Sequence, residues 1–299
     1  MPAQAVSFAK DTFKAFAADE ATTRAAAVAF YAALSLSPLV LLFVSITGFL
    51  GPNVQERMVD SVTSTVGAEA GEAVRTLAAR NDESGESQVD AGSGVAVISL
   101  IVSLVVILFS ASGVVAALQR GLNRVWNVKP APGEGAKGWV RRRAVSMSLV
   151  LAVLFLLLVS LVATTVIGMI VPASGWAWNL VTLLVSFAVF ILLFAAIFKT
   201  LPDVRIGWPL VWRGAIVTAI LFALGKYALG LYLANASYES SYGAAGSLIA
   251  MLVWVYYSAV IVFLGAEITQ VHARRIGARI EPDRHAVPDR AAPARPRPA

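Results

Sequence analysis

The chain has 299 residues, of which 58% are hydrophobic and only 14% charged, with a mean hydropathy of +0.74 and a formal net charge of +6. A soluble domain averages about 45–50% apolar and about 25% charged residues, so this balance excludes a disordered chain, a secreted disulfide scaffold and an ordinary cytosolic enzyme. Cysteine is absent and the two histidines, His272 and His285, both fall in the polar C-terminal region, so no metal or cofactor is expected.

The apolar residues are clustered. A bilayer core of about 30 Å needs about 20 mostly apolar residues in a helix, because each backbone N–H and C=O must be paired within the segment. Six stretches meet that requirement, approximately residues 25–50, 94–118, 144–171, 177–198, 210–234 and 244–268. The expected fold is therefore an all-α polytopic membrane protein in three regions. Residues 1–24 form an amphipathic segment, residues 25–280 a six-helix transmembrane domain, and residues 281–299 a disordered tail.

In chain order, residues 5–18 place Ala9, Phe13 and Phe16 on one helical face beside Lys10 and Lys14. Such a helix lies either in the membrane interface or against the helical domain, since both bury the same face. No cleavable signal peptide is expected, because the first 24 residues carry charges and no apolar core region. The first span is interrupted by Pro38, which frees the carbonyl of Leu34 and is expected to kink the helix; Ser35 and Ser37 can satisfy freed backbone groups. The kink serves either as a gating hinge or as static shaping of the domain.

Residues 51–93 form the one long connection, with eight acids against three arginines. Val54, Met58, Val62 and Val66 recur at i,i+4, and Val74, Leu77 and Ala78 repeat the pattern, so an outer amphipathic helical hairpin is expected. Its carboxylates lack the spacing of a calcium loop, and a solvated acidic face is the better reading. The second span holds the small residues Ser110-Ala-Ser-Gly113 and runs on past the interface, where Gln119, Asn123 and Trp126 form a polar line that could close a vestibule.

The fourth span carries Phe187, Phe190, Phe194 and Phe198 at helical spacing, a stripe expected to contact lipid. The fifth contains Lys226, with Tyr227 beside it. A lysine at the bilayer centre costs about 2.5–3.5 kcal/mol on insertion scales, so it should face the interior or water and have a partner. Lys226 is read as a cationic site for an anionic group, with Tyr227, Ser35, Ser37 and Asn123 as companion ligands, against the plainer reading of a lysine satisfied by Ser, Tyr or backbone carbonyls. Gly243 and Gly246 open the sixth span with a close-packing face of the kind that serves packing in any helical bundle, and a homo-oligomer is expected only as an option. Glu267 ends it, as a structural clamp expected to pair with Arg213 or Arg120.

Charge orients the spans. Of the 24 Lys and Arg, 20 lie before the first span, in the second connection, in the fourth connection and its flanks, or after the last span, and only Arg57, Arg75 and Arg80 lie on the other side. Basic residues accumulate on the cytoplasmic side, which places both termini there. The same logic explains most of the positive charge and removes the case for nucleic-acid binding. Trp176 and Trp178 mark the outer interface, while Trp126, Trp139, Trp208 and Trp212 flank the inner one. From Glu281 the chain is rich in Pro, Arg and Ala and offers no apolar face, the basis for expecting disorder.

The order of motifs resembles the YihY/BrkB family of bacterial inner-membrane proteins. The matching pieces are Ala29-Phe-Tyr-Ala-Ala-Leu-Ser-Leu-Ser-Pro38, Ala117-Leu-Gln-Arg-Gly-Leu-Asn-Arg-Val-Trp126, Leu201-Pro202-Asp203 and Arg213-Gly214. They continue with Tyr238 to Gly246 and with Leu252-Val-Trp254-Val-Tyr256 through Gly265-Ala266-Glu267, so that the likeness covers about residues 5–280. The resemblance implies a six-span protein of the bacterial inner membrane. It also brings an old ribonuclease BN label and links to serum resistance and envelope-lipid export, but no catalytic residues. Metal-dependent RNA hydrolysis would need a carboxylate or histidine cluster on the cytoplasmic side, and the sequence supplies none. The leading expectation is a non-enzymatic transporter or flippase-like protein for an anionic amphiphile or envelope lipid, working in the bilayer. The alternative is a scaffold that organises envelope proteins through the acidic hairpin and the arginine-rich tail.

Overall fold

The computed structural model describes residues 2–50, 112–132, 176–235 and 244–289, with scattered helical positions between 138 and 156. The expected outer hairpin, most of the second and third spans, and Gly243 lie outside the described residues. Helix α1 covers Pro2–Ala18 and α2 Ala21–Leu50; α3 covers residues 112–125; α4 covers Trp176–Thr200, α5 Trp208–Asn235 and α6 Ala244–Arg275. Helices α4, α5 and α6 each contain a stretch long and apolar enough to cross a membrane, at Leu183–Thr200, Trp208–Gly225 and Met251–Arg275. These correspond to the last three expected spans, and α6 runs seven residues beyond its expected end at Ile268.

The chain divides into two compact units. The first comprises residues 1–28, 114–228 and 256–299, and the second residues 29–113 and 229–255. In the second, α2 is helical without a break through Pro38, Phe30 and Leu34 are exposed, and the Tyr31 ring lies 3.4 Å from where a Cβ on Gly113 would stand.

The first unit holds the buried core, formed by Leu122, Val125, Leu201, Val211, Phe263 and Val271 among others. Its tightest contact is the antiparallel seam between α5 and α6. Both helices carry glycine followed four residues later by threonine, as Gly214 and Thr218 on α5 and Gly265 and Thr269 on α6. The pairs interlock reciprocally: a Cβ on Gly214 would overlap the Thr269 hydroxyl, and a Cβ on Gly265 would overlap the Thr218 hydroxyl. Each threonine hydroxyl donates to the carbonyl four residues back in its own helix, Thr218 to Gly214 and Thr269 to Gly265, both at 2.7 Å. Both hydroxyls are thereby satisfied inside the seam, where water would otherwise be needed. Two turns on, the Tyr257 ring fills the space beside Gly225, and its hydroxyl donates to Leu221 O at 3.4 Å. Missing side chains on α5 and α6 let two backbones approach where dispersion drives association. On α3, Gly121 admits the Phe263 ring in the same way.

The opposite face of α5 is a continuous exposed apolar line of Trp208, Trp212, Ile216, Ile220, Leu224 and Tyr227. Helix α4 has a comparable face in Leu180, Leu183, Leu184 and Leu192. A helix with one apolar face outward and another closely packed suits a lipid surround. The phenylalanine stripe therefore needs correction. Phe194 and Phe198 are buried, and Phe190 and Phe194 meet the Phe222 ring edge-on at centroid distances of 5.0 and 5.6 Å. Trp126 is also buried, so of the tryptophans expected at the inner interface only Trp208 and Trp212 are seen exposed among the described residues.

Two further corrections concern the ends of helices. The fold is not purely α, because among the described residues there are four short strands: β1 at Val128–Pro130, β2 at Val204–Arg205, β3 at Glu281–Pro282 and β4 at Ala286–Pro288. They form two antiparallel ribbons, β1 with β4 and β2 with β3. Residues 281–289 of the expected disordered tail are thus built into the fold. Proline was the basis for expecting disorder, but Pro130, Pro282 and Pro288 each stand at a strand end, where a missing N–H is tolerated. The turn into this segment is made by Gly277, at φ 67°, with Gly277 N–H donating to Arg274 O and Ala278 N–H to Ala273 O, a Schellman closure of α6.

The seam predicts an asymmetry between the two faces of α5. Gly265→Leu should lower stability by about 1–3 kcal/mol or more through overpacking, whereas Ile220→Ala on the exposed face should change it by no more than about 0.5 kcal/mol. Thermal unfolding of the detergent-solubilised variants measures both.

Candidate functional site

The most elaborate polar arrangement in the first unit is centred on Asp203, in the loop between α4 and α5. Helix α3 presents Gln119 and Asn123 on one face at i,i+4 spacing, and both side chains are buried. Gln119 Nε2 donates to Asp203 Oδ1 at 3.2 Å, Asn123 Nδ2 donates to Asp203 Oδ2 at 2.8 Å, and the Asp203 N–H donates to Asn123 Oδ1 at 2.8 Å. The Asn123 amide therefore grips both the side chain and the backbone of one residue. The Asp203 carbonyl in turn accepts the Asp283 N–H at 2.9 Å, which starts the β2–β3 ribbon.

A second polar line runs beside it. Asn127 closes α3 with φ 53°, its N–H donating to Arg124 O at 3.0 Å; asparagine tolerates this left-handed conformation better than most residues. The Arg124 guanidinium reaches Asp19 in the α1–α2 turn at 3.5 Å and Asp289 at 3.4 Å, and Lys129 meets Asp289 at 3.5 Å. Asp289 N–H also donates to Asn127 O at 2.8 Å, and Ala131 N–H to His285 O at 3.0 Å, extending the β1–β4 ribbon at both ends. Asp203 and Arg124 thus fasten residues 281–289 across the end of α3 and the α4–α5 loop. A carboxylate engaged by two amide donors fixes a loop; the arrangement holds segments together and presents no evident reacting group.

The residues singled out from the sequence fall in several places. Asn123, expected as a substrate ligand, belongs to the Asp203 clamp. Ser35, in the second unit, donates to Ala32 O in its own helix at 2.7 Å. Tyr227 is 72% exposed on the outward line of α5. Glu267 is fully buried on α6, while Arg213, one of the two partners expected for it, meets His272 Nε2 at 3.1 Å. Since a guanidinium can only donate, Nε2 must accept, with the ring proton on Nδ1. Arg120 is exposed on α3. The side chains of Ser37, Pro38, Lys226 and Gly246 lie outside the described residues.

In the sequence Gln119, Asn123 and Leu201-Pro202-Asp203 stand apart, and their spacing does not show that they meet. The available signal was complementarity, since two amides one turn apart on a largely apolar helix need a partner and the acid after Pro202 needs donors.

Comparison with known proteins follows the same regions. The family model described as virulence factor BrkB matches residues 12–290, so the chain belongs to that family. The ribonuclease-like protein YfkH of Bacillus subtilis is 25% identical over 283 residues, covering 90% of this chain and 96% of the relative. A UPF0761 membrane protein of Psychrobacter is 30% identical over 155 residues, covering 51% of this chain and 29% of the relative. Another, from Xanthomonas axonopodis, is 24% identical over 272 residues, covering 89% of this chain and 61% of the relative. The chain thus spans nearly all of the Bacillus protein but less than two thirds of these UPF0761 relatives. No solved structure matches.

Two outcomes test the clamp. Asp203→Ala and Asn123→Ala should each cost about 2–4 kcal/mol by leaving buried amide or carboxylate groups unpaired, and the double variant should cost less than the sum by about 0.5–3 kcal/mol. A thermal-unfolding double-mutant cycle reads that coupling.

The second concerns acid. The Asp283 carboxyl is held below its ordinary range, first by a backbone hydrogen bond from Arg284 and then by Arg205, whose Nε lies 3.3 Å away. A depressed folded pKa stabilises above the unfolded value, near 3.9, and loses that contribution as pH falls through the folded value. Stability should therefore decline below about pH 4 through this group, and Asp283→Asn should remove that part of the decline, as measured by unfolding between pH 3 and pH 6.

Proposed function

We propose that this BrkB family membrane protein is a transporter or flippase-like protein for an anionic amphiphile or envelope lipid, with Lys226 as its internal cationic site. In this reading six helices cross a bacterial inner membrane with both termini on the cytoplasmic side, in keeping with the placement of 20 of the 24 basic residues. The observation that carries the reading is helical register. Position 226 follows Ala215 by eleven residues and Ala219 by seven, both fully buried, and Phe222 by four, which is partly buried, on a stripe of α5 that begins at the exposed Trp208. An ionisable residue on the inward stripe of a membrane helix is costly and is retained where it meets a charged or polar group. An anionic headgroup is such a group.

The other companions proposed from sequence are less well supported. Asn123 is committed to Asp203, and Tyr227 stands on the outward line with Ile220 and Leu224. The scaffold alternative is weakened because residues 281–289 of the tail that would recruit partners are taken up in ribbons with β1 and β2. An enzymatic reading is suggested by the ribonuclease-like name of the Bacillus relative. Metal-assisted hydrolysis needs several ligands on one centre, and among the described residues no three His, Asp or Glu side chains come together.

The test is transbilayer movement of a fluorescent anionic phospholipid in proteoliposomes. Lys226→Met should reduce the rate to that of protein-free vesicles while the thermal midpoint stays within the range of other single substitutions, and Lys226→Arg should retain part of the activity. Full activity of Lys226→Met would overturn the assignment.

A further inference from the structure

Helix α1 has two unlike faces. On one, Thr12 and Ala15 are buried, Phe8 is partly buried, and Arg275 at the end of α6 binds the helix through several contacts. Its guanidinium donates to Asp11 Oδ2 at 2.6 Å, to Ser7 Oγ at 3.0 Å and to Gln4 O at 3.3 Å, and lies 5.3 Å from the centroid of the Phe8 ring. These contacts fix the rotation of α1 about its own axis.

The opposite face contains Val6 at 67% and Phe13 at 65% exposure, joined by exposed Ala9 and Ala17 and flanked by exposed Lys10 and Lys14. Of the face read from sequence, Ala9 and Phe13 are exposed and Phe16 is partly buried, while the protein packs the Phe8, Thr12 and Ala15 side; this favours the interfacial alternative over packing of that face on the helical domain. Phenylalanine and valine in water gain nothing from their position unless something covers them.

Connectivity and charge indicate what does. Helix α1 ends at Ala18 and α2 begins at Ala21, joined by a turn in which Glu20 has φ 52° and accepts the Arg24 N–H. The expected start of the first membrane span at residue 25 is then only a few residues further, about 6 Å along a helix. The C-terminal end of α1 is therefore tethered close to the bilayer boundary. The single acid of α1, Asp11, is turned towards Arg275, so the outward face carries only apolar residues and two lysines. An apolar line flanked by lysines at i,i+4 complements an anionic lipid surface.

We infer that α1 is a membrane-surface element that inserts Val6 and Phe13 into the headgroup boundary of an anionic bilayer, with Lys10 and Lys14 meeting lipid phosphates. Arg275 holds this face outward. The inference does not depend on transport, and its test contains no transport measurement.

The absence of cysteine makes the test direct. Full-length protein carrying Val6→Cys or Phe13→Cys is labelled with an environment-sensitive fluorophore and reconstituted into phosphatidylcholine bilayers with or without phosphatidylglycerol, each containing a brominated lipid quencher. In the anionic bilayers both labels should shift to shorter wavelength and be quenched, whereas a label at Glu20→Cys should remain water-like. Lys10→Gln combined with Lys14→Gln, which leaves the Arg275 contacts in place, should lower the quenching to the level found in neutral bilayers. Water-like emission from positions 6 and 13 in anionic bilayers would overturn the inference. So would quenching that ignores both lipid charge and the two lysines, or label-to-label contact without lipid quenching, which would assign the face to a second copy of the chain.

Discussion

The end of the first unit depends on one carboxylate. Where an apolar helix leaves the hydrocarbon, its connecting loops contain backbone and side-chain polar groups that neither lipid nor a packed core can satisfy. Asp203 answers that constraint for three segments together, since its side chain holds Gln119 and Asn123 on α3 and its carbonyl holds Asp283 in the C-terminal segment. Each hydrogen bond to an ionised group contributes about 1.5–3 kcal/mol, and the pairing leaves the buried amides of α3 satisfied. Arg124 repeats the device between Asp19 and Asp289. Together they make residues 281–289 part of the folded protein.

Within the helices the problem is different, because lipid is as apolar as a leucine side chain and burial alone does not bring helices together. The α5–α6 seam shows the alternative solution: glycine on each helix admits a threonine of the other, and each threonine returns its hydroxyl to its own backbone. Dispersion between two closely approaching backbones then holds the seam. This leaves the outward line of α5 free to be wholly apolar.

Much of this was legible in sequence, and what was not has physical reasons. The expected spans at 177–198, 210–234 and 244–268 each fall on a helix with a stretch long and apolar enough to cross a membrane, because the need for about 20 apolar residues leaves a strong signal. Composition could not say which helix face meets lipid. Phe194 and Phe198 look like ideal lipid contacts, yet an aromatic ring packs equally well against Phe222, and only tertiary structure decides. Which side of α1 packs on the protein was not legible for a related reason, since Arg275, more than 260 residues away, selects the Phe8 side. Residues 281–289 are ordered although the segment offers no apolar face, because prolines at ribbon ends and acids opposite arginines are compatible with order. The Asp203 clamp was visible only as unpaired halves, 80 residues apart in sequence for Asn123 and Asp203.

The central claim is that Asp203 fastens the C-terminal segment into the folded protein, and amide hydrogen exchange over residues 281–289 tests it most directly. The account predicts that the amides of Asp283, Ala286 and Asp289 exchange slowly in the wild type and lose their protection in Asp203→Ala, while amides along the α5–α6 seam remain protected. Exchange of residues 281–289 at the rate of an unstructured chain in the wild type, or protection unchanged by loss of Asp203, would contradict it.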